Sequence, residues 1–269
     1  MTWKNIQLPL SSDEVLHILG NSSEGTVLVG GQALALWSQI YRVRPPNELS
    51  GGISADVDFI GSVSAAKIVG RALNRAGGSW KLHEVDPGDA TPQTAKLSLT
   101  VEGEGHKEID FLGAIVGVKT DQLKTRAVEL RLPGLTGSLR IIHPLDLLAS
   151  RLHNLADIPD KRDAQGVAQA RLAISVVRAF ISQAHDTLPE HDVFPFVEEV
   201  RRIALKKKLG RVFHEYGFDV LSAVPVELFK SEAFLAKRWP QVQALVSDQR
   251  ETQARMYGKY PPWPGGIRA

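Results

Sequence analysis

The chain has 269 residues, 43% hydrophobic and 23% charged, with a formal net charge of +2. That length allows a substantial core and two domains, and so mild a charge makes no case for nucleic-acid binding by itself. With no cysteine, disulfides, zinc–thiolate sites and thiol catalysis are excluded; with no run of about 18 apolar residues, no membrane span is expected.

The first fourteen residues lack a basic start followed by an apolar stretch, so no secretory leader is expected, and a cytoplasmic protein fits. Residues 11–19 read as a short helix, because Ser11 and Glu14 have capping-box spacing and Gly20 supplies a stop. Residues 26–29 form an apolar strand run broken by Gly30-Gly31, and a helical pattern covers 32–42. Pro45, Pro46, Gly51 and Gly52 mark a loop, read as an inert insertion. Residues 53–60 predict a strand, with Val57 and Phe59 on one face and Asp56 and Asp58 on the other.

A helix is predicted over 65–75, then a turn-rich stretch over 86–93. Leu97, Leu99 and Val101 alternate with polar residues, Gly103 and Gly105 allow a turn, and a returning strand is expected over 107–118. Residues 138–142 suggest a last strand. Beyond Pro144 the pattern turns helical, over 145–155, 164–184, 193–209 and 229–257. The expected division is an α/β domain over 1–143 and a helical domain over 144–269. The stretch 260–265 is too rich in proline for regular structure.

Three features carry chemistry. In Val29-Gly30-Gly31-Gln32 a strand enters a helix through two glycines. Backbone without Cβ atoms approaches a phosphate closely, and a helix N-terminus offers it unpaired N–H groups; tight turns also use glycine for steric reasons alone. In Ala55-Asp56-Val57-Asp58-Phe59 the carboxylates at i and i+2 share a strand face, about 7 Å apart at the backbone. Such a pair repels and is stabilised by a divalent cation, although ordinary surface strands alternate in the same way. In Lys107-Glu108-Ile109-Asp110-Phe111 the alternation recurs, so Asp110 joins the pair if the two strands are neighbours. Together the three suit a two-metal phosphoryl-transfer site with Asp56, Asp58 and Asp110 as ligands and Mg²⁺ or Mn²⁺ as the ion. The basic stretch of Arg201, Arg202, Lys206, Lys207, Lys208 and Arg211 reads first as a solvated helix face and second as a phosphate-contacting patch.

The segments GGQALAL, SADVDF and EIDF resemble the DNA polymerase β-like nucleotidyltransferase superfamily. Two glycines, a helix and a serine before the paired acids are most similar to the AbiEii-type abortive-infection toxins. The segment HPLDLLASRLHNL followed by Lys161-Arg162-Asp163 resembles the leucine-rich helix and basic–Asp element of that group. The likeness spans roughly residues 26–175. It implies an α+β fold, with a nucleotidyltransferase-type mixed sheet, flanking helices and a C-terminal helical domain. It also implies transfer of a nucleoside monophosphate from an NTP to a hydroxyl acceptor.

Asp56, Asp58, Asp110 and Asp163 are then the expected catalytic residues, and Gly30, Gly31, Gln32, Arg151 and Lys161 the nucleotide-binding ones. Gln32 stands where relatives carry a hydroxyl residue, and Arg151 where they carry a lysine, for which Lys161 is a candidate substitute. The implied partners are an RNA acceptor, tRNA foremost, and a cognate antitoxin. Antibiotic or protein nucleotidylation and a non-catalytic binding module are the alternatives. A dinucleotide-binding unit fits less well, because the spacing GxGxxG is missing.

Overall fold

The computed structural model describes residues 7–22, 25–86, 88–132 and 137–258. Among them are nine α-helices and one seven-stranded mixed sheet, in agreement with the expected α+β class. The chain divides into two compact units, residues 1–37 with 50–147, and residues 38–49 with 148–269.

The first unit holds the sheet. Its strands are β1 (Val27–Val29), β2 (Val57–Ile60), β3 (Lys81–Glu84), β4 (Gln93–Val101), β5 (Gly105–Leu112), β6 (Val128–Leu130) and β7 (Leu139–Ile141), in the order β3-β4-β5-β2-β1-β7-β6. β2 lies parallel to β5 and antiparallel to β1, while β1 lies parallel to β7. The central strands are apolar: Leu28, Val29, Val57, Phe59, Ile109, Phe111 and Ile141 are all fully buried. Phe59 and Phe111, level with each other across β2 and β5, stack with ring centroids 5.6 Å apart, a contact that stabilises this strand pair beyond its area burial.

Helix α1 (Ser12–Gly20) begins with the expected capping box: Ser11 N–H donates to Glu14 Oε2 at 2.8 Å, and Glu14 N–H donates to Ser11 Oγ at 3.3 Å. Glu14 also takes Lys107 Nζ at 2.6 Å, which ties the helix to β5. Helix α2 (Gly30–Ile40) follows β1 directly, and its Trp37 Nε1 donates to Ile142 O at 2.9 Å. Helix α3 (Val63–Arg75) packs on β3 and β4 through Gly70, where a Cβ would lie 2.9 Å from Leu97 Cδ2. Helix α4 (Thr120–Arg126) precedes β6.

Several elements differ from expectation. β2 is shorter than the predicted strand over 53–60, because β1 ends at Val29, opposite Asp58, and pairing with β5 starts at Val57. Asp56 therefore sits in the bend just before the strand. The strand predicted over 107–118 stops at Leu112, and β3, β6, α4 and the start of β4 carried no clear apolar period. β3 is an exposed edge strand of Lys, Leu, His and Glu, the polar form that blunts strand pairing with other chains.

In the second unit, α6 (Ala164–Thr187) and α7 (Glu190–Ala204) carry the core with α8 (Gly210–Tyr216) and α9 (Trp239–Tyr257). α5 (Pro144–Asp157) starts in the first unit and runs into the second. Residues 38–49 belong here through Tyr41, whose ring meets Phe180 of α6 at 6.4 Å, and through the buried Leu49. The helix expected over 229–257 starts at Glu232 and passes through a π turn, Phe234–Arg238, inside an aromatic cluster of Phe194, Phe229, Phe234 and Trp239. The expectation for 260–265 lies outside the described residues. Among the described residues, no helix is long and apolar enough to cross a membrane.

Candidate metal centre

The pairing of β2 with β5 puts Asp58 level with Asp110 on neighbouring parallel strands. Parallel partners in register point to the same face, so the two carboxylates meet there. Asp56 joins them from the bend: the three residues each offer one oxygen, and these lie within 4.8 Å of one another. All three are partly buried. Three like charges this close repel, and a divalent cation with oxygen ligands relieves the repulsion.

The glycine turn closes on this cluster. Gly30 has φ 72°, and a Cβ there would lie 2.0 Å from Asp58 Oδ2. A side chain at this position is therefore barred both by conformation and by the carboxylate. At Gly31 a Cβ would fall 2.3 Å from Ser54 Cβ. Ser54 Oγ donates to Asp56 Oδ1 at 2.6 Å, and Gln32 Nε2 donates to Ser54 O at 3.0 Å. The first turn of α2 thus holds Ser54, and Ser54 orients Asp56. Gln32 acts here as a clamp on the backbone next to the acids.

Asp110 combines burial with several charged neighbours. Its Oδ1 is buried without a hydrogen-bond partner. Burial raises its pKa above the ordinary carboxylate value; the Lys96 ammonium pulls it back, and the charges of Glu108 and Asp56 push it further up. Lys96 lies opposite Asp110 on β4. Its Nζ is 2.8 Å from Glu108 Oε2 and 3.8 Å from Asp110 Oδ1. An orphaned carboxylate oxygen, an all-oxygen donor set and a cradle that only glycine fits suit a hard divalent ion such as Mg²⁺ or Mn²⁺.

Arg151, Lys161 and Asp163 belong to the helical unit. Asp163 is the N-cap of α6, where its Oδ1 accepts from Gly166 N–H at 2.7 Å. Arg151 on α5 donates through Nη1 to Gln169 Oε1 on α6 at 3.0 Å, and Lys161 ends a 3-10 turn ahead of that cap. Four of the six cations in the basic stretch are paired locally: Arg201 and Arg202 share Glu198, Lys208 pairs with Asp157 at 2.9 Å, and Arg211 with Glu215. That pattern favours the solvated-face reading.

No family model and no curated protein sequence matches this chain. Ser54, Lys96 and Glu108 were not among the expected site residues. The Ser-x-Asp spacing before the acids was a usable signal for Ser54; Lys96 and Glu108 come to the site only through strand pairing.

Proposed function

We propose that the chain is a divalent-metal-dependent nucleotidyltransferase that moves a nucleoside monophosphate from an NTP to a hydroxyl acceptor. The observation that carries this reading is the register of Asp58 with Asp110 on parallel neighbours, joined by Asp56 and closed by Gly30. A mixed sheet with this strand–glycine–helix entry supports assignment to the nucleotidyltransferase fold.

In this reading Asp56, Asp58 and Asp110 would hold the ion, and Asp110 also faces the acceptor. A bound Mg²⁺ or Mn²⁺ supplies charge neutralisation at the phosphoryl oxygens and acidifies the acceptor hydroxyl. The backbone N–H groups at the start of α2 bind the phosphates, aided by the positive end of the helix. Asp110 Oδ1, without a hydrogen-bond donor of its own, takes the hydroxyl proton. The acceptor oxygen bonds to the α-phosphorus, the α–β bridging bond breaks, and pyrophosphate leaves. The resemblance to AbiEii-type toxins makes RNA the first acceptor class, tRNA foremost, within a cytoplasmic toxin–antitoxin or defence pair.

The test is incubation of the purified chain with each α-labelled NTP, Mg²⁺ and total RNA, with Asp58→Ala in parallel. Wild type transfers label, and Asp58→Ala loses at least roughly a hundredfold. Label transfer that is indifferent to Asp58 or to chelation of the metal overturns the proposal. So does the absence of transfer to RNA, protein and small hydroxyl acceptors alike.

A further inference from the structure

Lys96 has a position that the proposed reaction leaves without a role. It sits directly opposite Asp110 in the β4–β5 ladder, while Glu108 sits two residues before Asp110 and opposite Ser98. Residues opposite each other, and those at i and i+2, share a sheet face, so Lys96, Glu108 and Asp110 emerge together. The ammonium bonds to Glu108 Oε2 at 2.8 Å but stands 3.8 Å from Asp110 Oδ1, which accepts no hydrogen bond. Glu108 is held from its other side, with His106 Nε2 at 3.3 Å from Oε1. Lys96 is 27% and Glu108 16% exposed, so solvent screens this charge incompletely.

The arrangement separates anchoring from compensation. Glu108 fixes the ammonium at the margin of the triad, close enough to offset the charge of Asp110 but not bonded into the place an ion would take. A dication bound by Asp56, Asp58 and Asp110 feels the same ammonium as a repulsion across a partly buried, weakly screening space. We infer that Lys96 is the internal counter-ion of the acidic triad and holds its affinity for a free divalent cation down. The negative charge of a triphosphate then offsets this repulsion, so that metal and nucleotide load together in preference to the metal alone. Lys96 acts through charge at the edge of the site and touches no reacting atom. This inference rests on the metal-binding reading above.

Its test is Mn²⁺ titration of the chelator-stripped full chain without nucleotide, read by calorimetry and by the electron paramagnetic resonance of free Mn²⁺. Wild type is compared with Lys96→Met, Lys96→Gln, Lys96→Arg and Asp58→Ala, and melting is recorded with EDTA and with Mn²⁺. Removing the ammonium tightens Mn²⁺ binding by roughly tenfold, and Lys96→Arg restores the wild-type affinity. Both neutral variants also gain more melting temperature from Mn²⁺ than wild type does. Lys96→Gln, which keeps a hydrogen-bond donor for Glu108, carries the comparison if Lys96→Met does not fold. Equal or weaker Mn²⁺ binding by the folded neutral variants, against measurable binding by wild type, overturns the role of Lys96 alone. Binding by neither wild type nor variants overturns the metal reading and this inference with it.

Discussion

Gly30→Ala perturbs the point where the turn meets the acids. The residue has φ 72°, and an L side chain in that left-handed region costs about 1–2 kcal/mol. The new Cβ would lie 2.0 Å from Asp58 Oδ2, 2.9 Å from Cγ and 3.0 Å from Cβ. The carboxylate can swing away at an off-rotamer cost of about 1 kcal/mol. Asp58 Cβ cannot follow it, because β2 is held by β1 on one side and β5 on the other. The sum is about 2–3 kcal/mol, or roughly 5–10 °C in melting temperature for a chain of this size. Because the swing takes Asp58 Oδ2 out of its place in the triad, Mn²⁺ binding falls as well.

The assay is urea unfolding in EDTA of wild type, both single variants and Gly30→Ala/Asp58→Ala. Truncating Asp58 removes the two closest contacts and leaves the one at 3.0 Å. In that background Gly30→Ala costs about 1 kcal/mol less, a coupling of the size seen for residues in contact. An equal cost in both backgrounds refutes the claim that Gly30 is required by the carboxylate. A cost below about 0.5 kcal/mol in either refutes the backbone argument too.

Two further predictions concern residues near the start of the helical half. Burial, then the charge of Arg126, pushes the His143 imidazole down to about 3, and its Nδ1 lies 3.2 Å from the Leu145 N–H and 3.3 Å from Arg126 Nη2, contacts that suit a neutral ring. In the unfolded chain it titrates near the ordinary histidine value of about 6.5, so below that pH the unfolded state takes a proton that the folded state refuses. Stability should fall by about 2 kcal/mol between pH 7 and pH 5 from this residue, and urea unfolding of His143→Asn should show a shallower loss; identical slopes refute it. For Asp163, Ala removes the cap on α6 and costs about 1 kcal/mol, whereas Asn keeps the cap. Thermal melts of Asp163→Asn should match wild type while nucleotide transfer falls; unchanged transfer would leave Asp163 a capping residue only.

The sequence alone determined the features whose causes are local. The Ser11–Glu14 capping box, the apolar run entering Gly30-Gly31, the alternation around Asp58 and Asp110, and the helical period of α6 follow from side chains within a few residues of each other. Tertiary structure decided whatever depends on which strand lies beside which. It put β2 parallel to β5 with Asp58 level with Asp110, started β2 only at Val57 so that Asp56 entered from a bend, and placed Lys96 opposite Asp110. It also assigned residues 38–49 to the helical unit through the contact of Tyr41 with Phe180. Strand partners and register are set by packing between segments far apart in the chain, so a three-residue strand such as β6 or a polar edge strand such as β3 has no local pattern to announce it. The acids could be named from sequence; their meeting, and the lysine that faces them, could not.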